Sequence, residues 1–190
     1  MKTNKNYSFI TFAHLQHKNM EKYSTTLKYG LYGAALSFVV LVLLLVSGNS
    51  PWSSASWMGA WIPGVTAYFV LKLNKEENPD AVNSFYQVFK QSMQVIFFQA
   101  LFFTIMAVLF STFLNTGALE MYKAEMLANE ESVKLILGEE GVEMLNKELN
   151  NATFFTLSFS DFINKLIGGT IVSLILAGIF KKNKPIFENE

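Results

Sequence analysis

Asp161 and Lys165 stand four residues apart in an otherwise apolar stretch, and apart from Lys28 and Lys72 at span edges they are the only charged residues inside an expected membrane span. A lysine at mid-membrane costs about 2.5–3.5 kcal/mol on insertion scales, so an intramembrane charge calls for a partner or a function. The acid precedes the base at i, i+4, the favourable order on a helix. One reading is an ion or proton path that also involves Gln99 and Asn164. The plainer reading has Asp161 capping the outer end of the helix and Lys165 snorkelling to the same interface. Their place in the first turn of the span favours the plainer one.

Other chemistry is sparse. His14, His17 and Glu21 would share one helical face and could be drawn as a metal site, but three residues in a polar tail make a weak ligand set. Eight Glu between residues 116 and 153 could attract divalent cations. The aspartate-rich loop of an EF-hand is missing, and a solvated helical face is the simpler account. Phosphate-binding glycine loops, nucleophile elbows, HExxH and lipidation motifs are all absent. With no cysteine, disulfides, thiolate metal sites and cysteine nucleophiles drop out together. All fifteen basic residues are Lys, so the bidentate clamps that Arg makes on phosphate are lacking and nucleic acid is an unexpected partner. No catalytic, cofactor or metal residues are expected, and the chain does not read as an enzyme.

The elements that must position these residues are membrane helices. Apolar blocks near 27–47 and 93–115 are each about twenty residues long, which matches a hydrocarbon core of about 30 Å. A third block, 57–73, is shorter and contains Pro63-Gly64, so Pro63 is expected to kink it. Trp52, Trp57 and Trp61 cluster at its start, at an expected headgroup level. The last span, 161–180, ends in Lys181, Lys182 and Lys184, and Pro185 forbids continuation. Val82, Phe85 and Phe89 recur at helical spacing, which predicts a short interfacial helix before the third span.

Between spans three and four, the acidic segment 116–153 has its own helical pattern. Leu119, Tyr122 and Met126 share one face, and Val142, Leu145 and Leu149 share another. Gly138 and Gly141 are expected to divide the segment into two or three short helices. The two apolar faces could lie on the bilayer, pack on each other or meet a partner.

Small residues recur every four positions in the last span at Gly169, Ser173 and Ala177. The first span offers Gly30 and Gly33 beside Ala34 and Ser37. Such rows admit close helix approach, and mutual packing of these two helices is the expectation. Gln99, Ser111 and Asn115 are expected to hydrogen-bond between helices.

Charge sorting sets the orientation. Eleven Lys flank the spans on the side of the two termini, whereas the other side has three Lys diluted by eight Glu. By the positive-inside rule both termini are cytoplasmic and the acidic loop is outside. Residues 1–26 form a polar N-terminal segment without a signal-peptide core. Met20-Glu21-Lys22-Tyr23-Ser24 reads like a natural start, so residues 1–19 are expected to be an upstream extension. Residues 27–184 form one membrane domain, and 185–190 are a tail.

Three stretches carry a family resemblance: Tyr29-Gly30-Leu31-Tyr32-Gly33-Ala34, Ser84-Phe85-Tyr86-Gln87-Val88-Phe89-Lys90, and the run from Ile167-Gly168-Gly169 through Ser173-Leu174-Ile175-Leu176 to Lys181-Lys182. Together they resemble a family of small Bacteroidota membrane proteins, domain of unknown function 4199, over about Met20 to Lys184. The resemblance implies four spans and an inner-membrane location, and it carries over no activity and no catalytic residues.

The expected fold is therefore all-α: an integral membrane four-helix bundle with a short helical extracytoplasmic loop domain. The expected role is that of an accessory or interaction protein of the inner membrane. Besides the lipid bilayer, it would meet a protein partner or itself through loop 116–153. A small oligomeric transporter or channel is the alternative. Topology is directly testable because the chain lacks cysteine. Cys at Glu130 should react with an impermeant maleimide in intact spheroplasts and Cys at Asn183 should not; the reverse labelling would invert the orientation.

Overall fold

The computed structural model describes residues 4–79, 81–114 and 117–182, with side chains from residue 24 onward. His14, His17, Glu21 and Asn115 lie outside the described side chains, and the tail 185–190 lies outside the described residues. Every regular element among the described residues is helical: α1 (Asn4–Val46), a 3-10 helix (Ser54–Gly59), α2 (Ile62–Glu77), α3 (Phe85–Leu114), α4 (Ala118–Ala128), α5 (Glu130–Asn151) and α6 (Phe154–Phe180).

Local chemistry sets the helix ends. Gly48 takes a left-handed φ of 77° after α1. Its amide bonds the Leu45 carbonyl at 3.0 Å, and the Asn49 amide bonds the Leu44 carbonyl at 2.9 Å. These are the paired bonds of a Schellman stop. Ser84 and Gln87 form a reciprocal cap at the start of α3: the Ser84 amide donates to Gln87 Oε1 at 2.8 Å, and the Gln87 amide to Ser84 Oγ at 3.3 Å. That cap fixes the first turn at Phe85, so Val82 stays outside and no separate interfacial helix precedes the span. Thr153 and Thr156 cap α6 in the same reciprocal way. The last helix thus starts seven residues earlier than its apolar pattern indicates.

Among the described residues, three helices are long and apolar enough to cross a membrane: Ser24–Val46, Phe85–Leu114 and Phe154–Phe180. The expected span at 57–73 is not one helix. The 3-10 turn precedes α2, whose 16 residues reach about 24 Å. Pro63 does not kink α2 but sits in its first turn. There the missing N–H costs nothing, because first-turn amides have no intrahelical acceptor.

α3 is the central post, and α1, α2 and α6 all pack on it. One apolar cluster joins Ala67, Val70 and Leu71 of α2 to Val88, Val95 and Ile96 of α3 and to Leu176 and Ala177 of α6. A second joins Ala34 and Leu41 of α1 to Phe103 and Ala107 of α3, beside an edge-to-face contact of Phe38 and Phe110 at 5.1 Å. In these pairs both residue numbers rise together, so α1 and α3 run in the same direction and the chain between them turns back.

The two small-residue rows do not meet each other, because the main contacts of α1 and α6 are both with α3. A Cβ at Gly30 would lie 2.9 Å from Phe98 Cβ, and one at Gly169 would lie 2.6 Å from Ile96 Cγ2. Each glycine is a notch for α3. In lipid, apolar burial alone does not draw helices together, so close contact at such notches carries the association.

The acidic segment folds into a layer at one end of the bundle. Tyr122, Leu149 and Ala152 are buried together, with Leu119, Met126, Leu145, Leu157 and Trp52 packed around them. The two apolar faces therefore cover each other. Gly138, at φ 71° and ψ −164°, breaks the helical path inside α5, whereas Gly141 lies buried within the helix.

Adjacent glycines give a controlled test of the notches. Gly169→Ala should cost about 1–3 kcal/mol of stability in bicelles through overpacking against Ile96. Gly168→Ala, whose Cβ meets nothing within 4 Å, should be neutral or stabilising. Equal effects at the two positions would show that α6 does not seat on α3 there.

Candidate functional site

The capping of α6 at Thr153 changes the setting of the charged pair. Asp161 is two turns into the helix and Lys165 three, about 17 Å from its start along an axis of about 40 Å. Asp161 is thus not a helix cap, and neither residue lies in the first turn. The Lys165 ammonium donates to the Asp161 carboxylate. It also lies 4.3 Å from the centroid of the Phe103 ring on α3. The side chains are 14% exposed for Lys165 and 24% for Asp161, so the pair is mostly withdrawn from its surroundings. A carboxylate on one side and a π face on the other jointly offset the loss of hydration.

Two cavities meet at Asp161. An open cleft of about 660 Å³ lies between the acidic layer and α6, lined by Trp52, Tyr122, Lys147, Glu148, Asn164 and Asp161 among others. A small cavity of about 30 Å³ lies deeper, bordered by Ser37, Ser56, Phe103, Asp161 and Lys165. It is large enough for one water molecule. Ser37 in turn accepts a hydrogen bond from the Gln99 amide nitrogen at 3.2 Å.

Gln99 is wholly buried, and its Oε1 has no hydrogen-bond partner among the described residues. The amide fits because α1 has glycine opposite: a Cβ at Gly33 would lie 2.3 Å from that oxygen. Beyond Gln99 the core is mainly apolar, with Val95, Ile96, Ala67 and Val70 closed on one another, and the buried Ser92 hydroxyl donates to the Val88 carbonyl of its own helix. Polar groups therefore descend from the cleft through Asp161, Lys165 and Ser37 to Gln99 and stop there. Ser111 and Ser173 are fully buried, have no partner among the described residues and border neither cavity.

The acidic layer is tied to the bundle by Glu125. Its carboxylate accepts from the Ser54 amide at 3.1 Å and the Ser54 hydroxyl at 2.8 Å. Burial pushes the Glu125 carboxyl up, but the bonds from Ser54 and Ser53 outweigh it and leave the pKa below its ordinary value. A depressed carboxyl contributes stability above its unfolded pKa and loses it as pH falls through the folded one. The Tyr122 hydroxyl at the cleft wall is raised by burial and then by the charges of Glu148 and Glu125. Across the Gly138 break, Lys134 and Glu139 pair at 2.6 Å, and that bond raises the Lys134 pKa.

Chemically, the site can hold a charge pair in balance, exchange it against a ligand that brings charges of its own, or pass a proton between Asp161 and water in the cleft. Asp161, Lys165, Gln99 and Asn164 are brought to one region, with Asn164 on the cleft wall. Phe103 and the Ser54–Glu125 tether had no signal in the sequence, since each depends on a depth match between separate helices, and Trp52 was legible only as an interface residue. Asp161→Asn alone should cost about 2–3 kcal/mol by leaving a withdrawn ammonium unpaired. The double variant Asp161→Asn with Lys165→Met should recover most of that loss in bicelle unfolding. Equal losses in the single and double variants would show the two charges to be uncoupled.

A family model described as "Protein of unknown function (DUF4199)" matches residues 28–182. No curated protein and no solved structure matches the chain. The matched segment takes in all three membrane-length helices but the first few residues of one, the acidic layer and the Asp161–Lys165 site, and the chain belongs to the DUF4199 family.

Proposed function

We propose that this protein is a non-enzymatic accessory protein of the bacterial inner membrane whose acidic outer layer receives a protein partner. In this reading the chain crosses the membrane four times, with the 3-10 turn and α2 as the second crossing and both termini in the cytoplasm. The shared direction of α1 and α3 supports a returning segment between them, and the eleven flanking Lys support the orientation.

The observation that carries the reading is the run Leu135-Ile136-Leu137 on α5, with exposures of 83%, 80% and 64%. Three consecutive apolar residues held out from a folded surface mark an interaction site. Glu130, Glu131, Glu139 and Glu140 flank the run, so anionic headgroups would be repelled. The matching partner has an apolar groove rimmed by basic side chains. In crosslinked pull-downs from native membranes, Leu135→Ser with Ile136→Ser should remove a stoichiometric partner while thermal stability stays within about 0.5 kcal/mol of wild type. An unchanged set of partners would refute the reading.

A second reading, a small oligomeric transporter or channel, is favoured by the Asp161–Lys165 pair at the floor of the cleft. The apolar closure below Gln99 weighs against a path through a single copy.

A further inference from the structure

The opposite end of the bundle has a second cavity, remote from Asp161. It measures about 230 Å³ and lies where the end of α2, the turn after it, the start of α3 and the end of α6 converge. Three of its lining residues are Lys75, Lys181 and Lys182, and no described lining residue is acidic. None of these lysines pairs with a carboxylate among the described residues. Lys182 instead braces the turn, its ammonium donating to the Pro79 carbonyl at 2.9 Å and its amide to the Asn83 carbonyl at 3.0 Å.

Two further lining residues contribute donors. Gln91 is 6% exposed and its amide NH2 has no acceptor among the described residues; the Asn74 NH2 is likewise buried and, among the described residues, unpaired. A buried donor left without an acceptor is costly, and native interiors rarely keep one. Lysines near the carboxyl ends of α2 and α6 are accounted for by the helix dipoles alone. Two buried amide donors without partners among the described residues, on side chains that both line this cavity, are not.

We propose that this cavity binds a phosphate-bearing anion. Its three ammonium groups and the unpaired amide NH2 groups of Gln91 and Asn74 suit a group that offers several acceptor oxygens and negative charge, and lysine is a common point-charge partner for phosphate. The volume, about eight water volumes, accommodates the phosphate and the start of its ester. A phospholipid headgroup and a soluble phosphate ester share this chemistry. The proposal stands apart from the outer-layer reading, since it concerns different residues at the other end of the molecule.

The test uses the purified full chain in phosphatidylcholine nanodiscs, with the melting temperature followed against two probes. One is inorganic phosphate at constant ionic strength, and the other is phosphatidylglycerol added to the disc. A saturable upward shift is expected with one of them. Lys75→Gln with Lys181→Gln should weaken that response at least about tenfold, through the loss of two ammonium groups. Gln91→Glu should abolish it, and Lys28→Gln, an exposed lysine outside the cavity, should leave it unchanged. A response to phosphatidylglycerol alone assigns the headgroup, and a response to inorganic phosphate assigns a soluble ester. No response to either probe, or equal weakening by Lys28→Gln, overturns the proposal; the surface double variant decides the matter if Gln91→Glu does not fold.

Discussion

Helices in lipid gain nothing from hiding apolar surface, so what joins them must be contact at short range. Here that contact is the seating of α3 in notches where its neighbours lack a Cβ. Gly30 and Gly33 open α1 to Phe98 and Gln99, and Gly169 opens α6 to Ile96. Because both flanking helices are notched toward α3, it becomes the shared post and α1 and α6 stay apart. Leu31, Leu36, Ile167 and Ile171 on their outer sides remain exposed, as a lipid-facing surface requires.

The polar interior follows from the same notches. Gln99 can be wholly buried only because Gly33 leaves room for its amide, and that amide then reaches Ser37 on α1. Ser37 borders the cavity beneath Asp161 and Lys165, so a packing device and a polar line share one pair of helices. The acidic layer acts on the same region from above. Its helices cover their apolar faces at Tyr122 and Leu149, and Glu125 ties them to Ser54 beside the cleft.

Length and hydropathy made the helices at 27–47 and 93–115 legible, because no other structure accommodates twenty apolar residues in a row. Gly138 was legible as a break, since glycine readily takes positive φ. The start of α6 was hidden by Ser158, Ser160 and Asp161, whose polarity mimics a loop although a threonine capping box upstream has already begun the helix. That error displaced the charged pair from mid-helix to a helix end. The glycine rows were legible as packing surfaces but not as surfaces for α3, because residue type specifies closeness and leaves the partner open. Gln91 and Asn74 escaped notice for a related reason. They lie past the apolar blocks, and only the convergence of α2, α3 and α6 makes them a pair.

The parallel run of α1 and α3 also has a consequence in time. Ser37 and Gln99, the two sides of the buried amide contact, are 62 residues apart in the chain. At about 5–20 residues per second of synthesis, α1 exists for about 3–12 s before its mate has been made. During that interval its notches face acyl chains or the insertion machinery, and α6, which must also seat on α3, has yet to appear. Assembly is thus timed by the third helix rather than the first, and a newly inserted α1 is a waiting surface until α3 arrives.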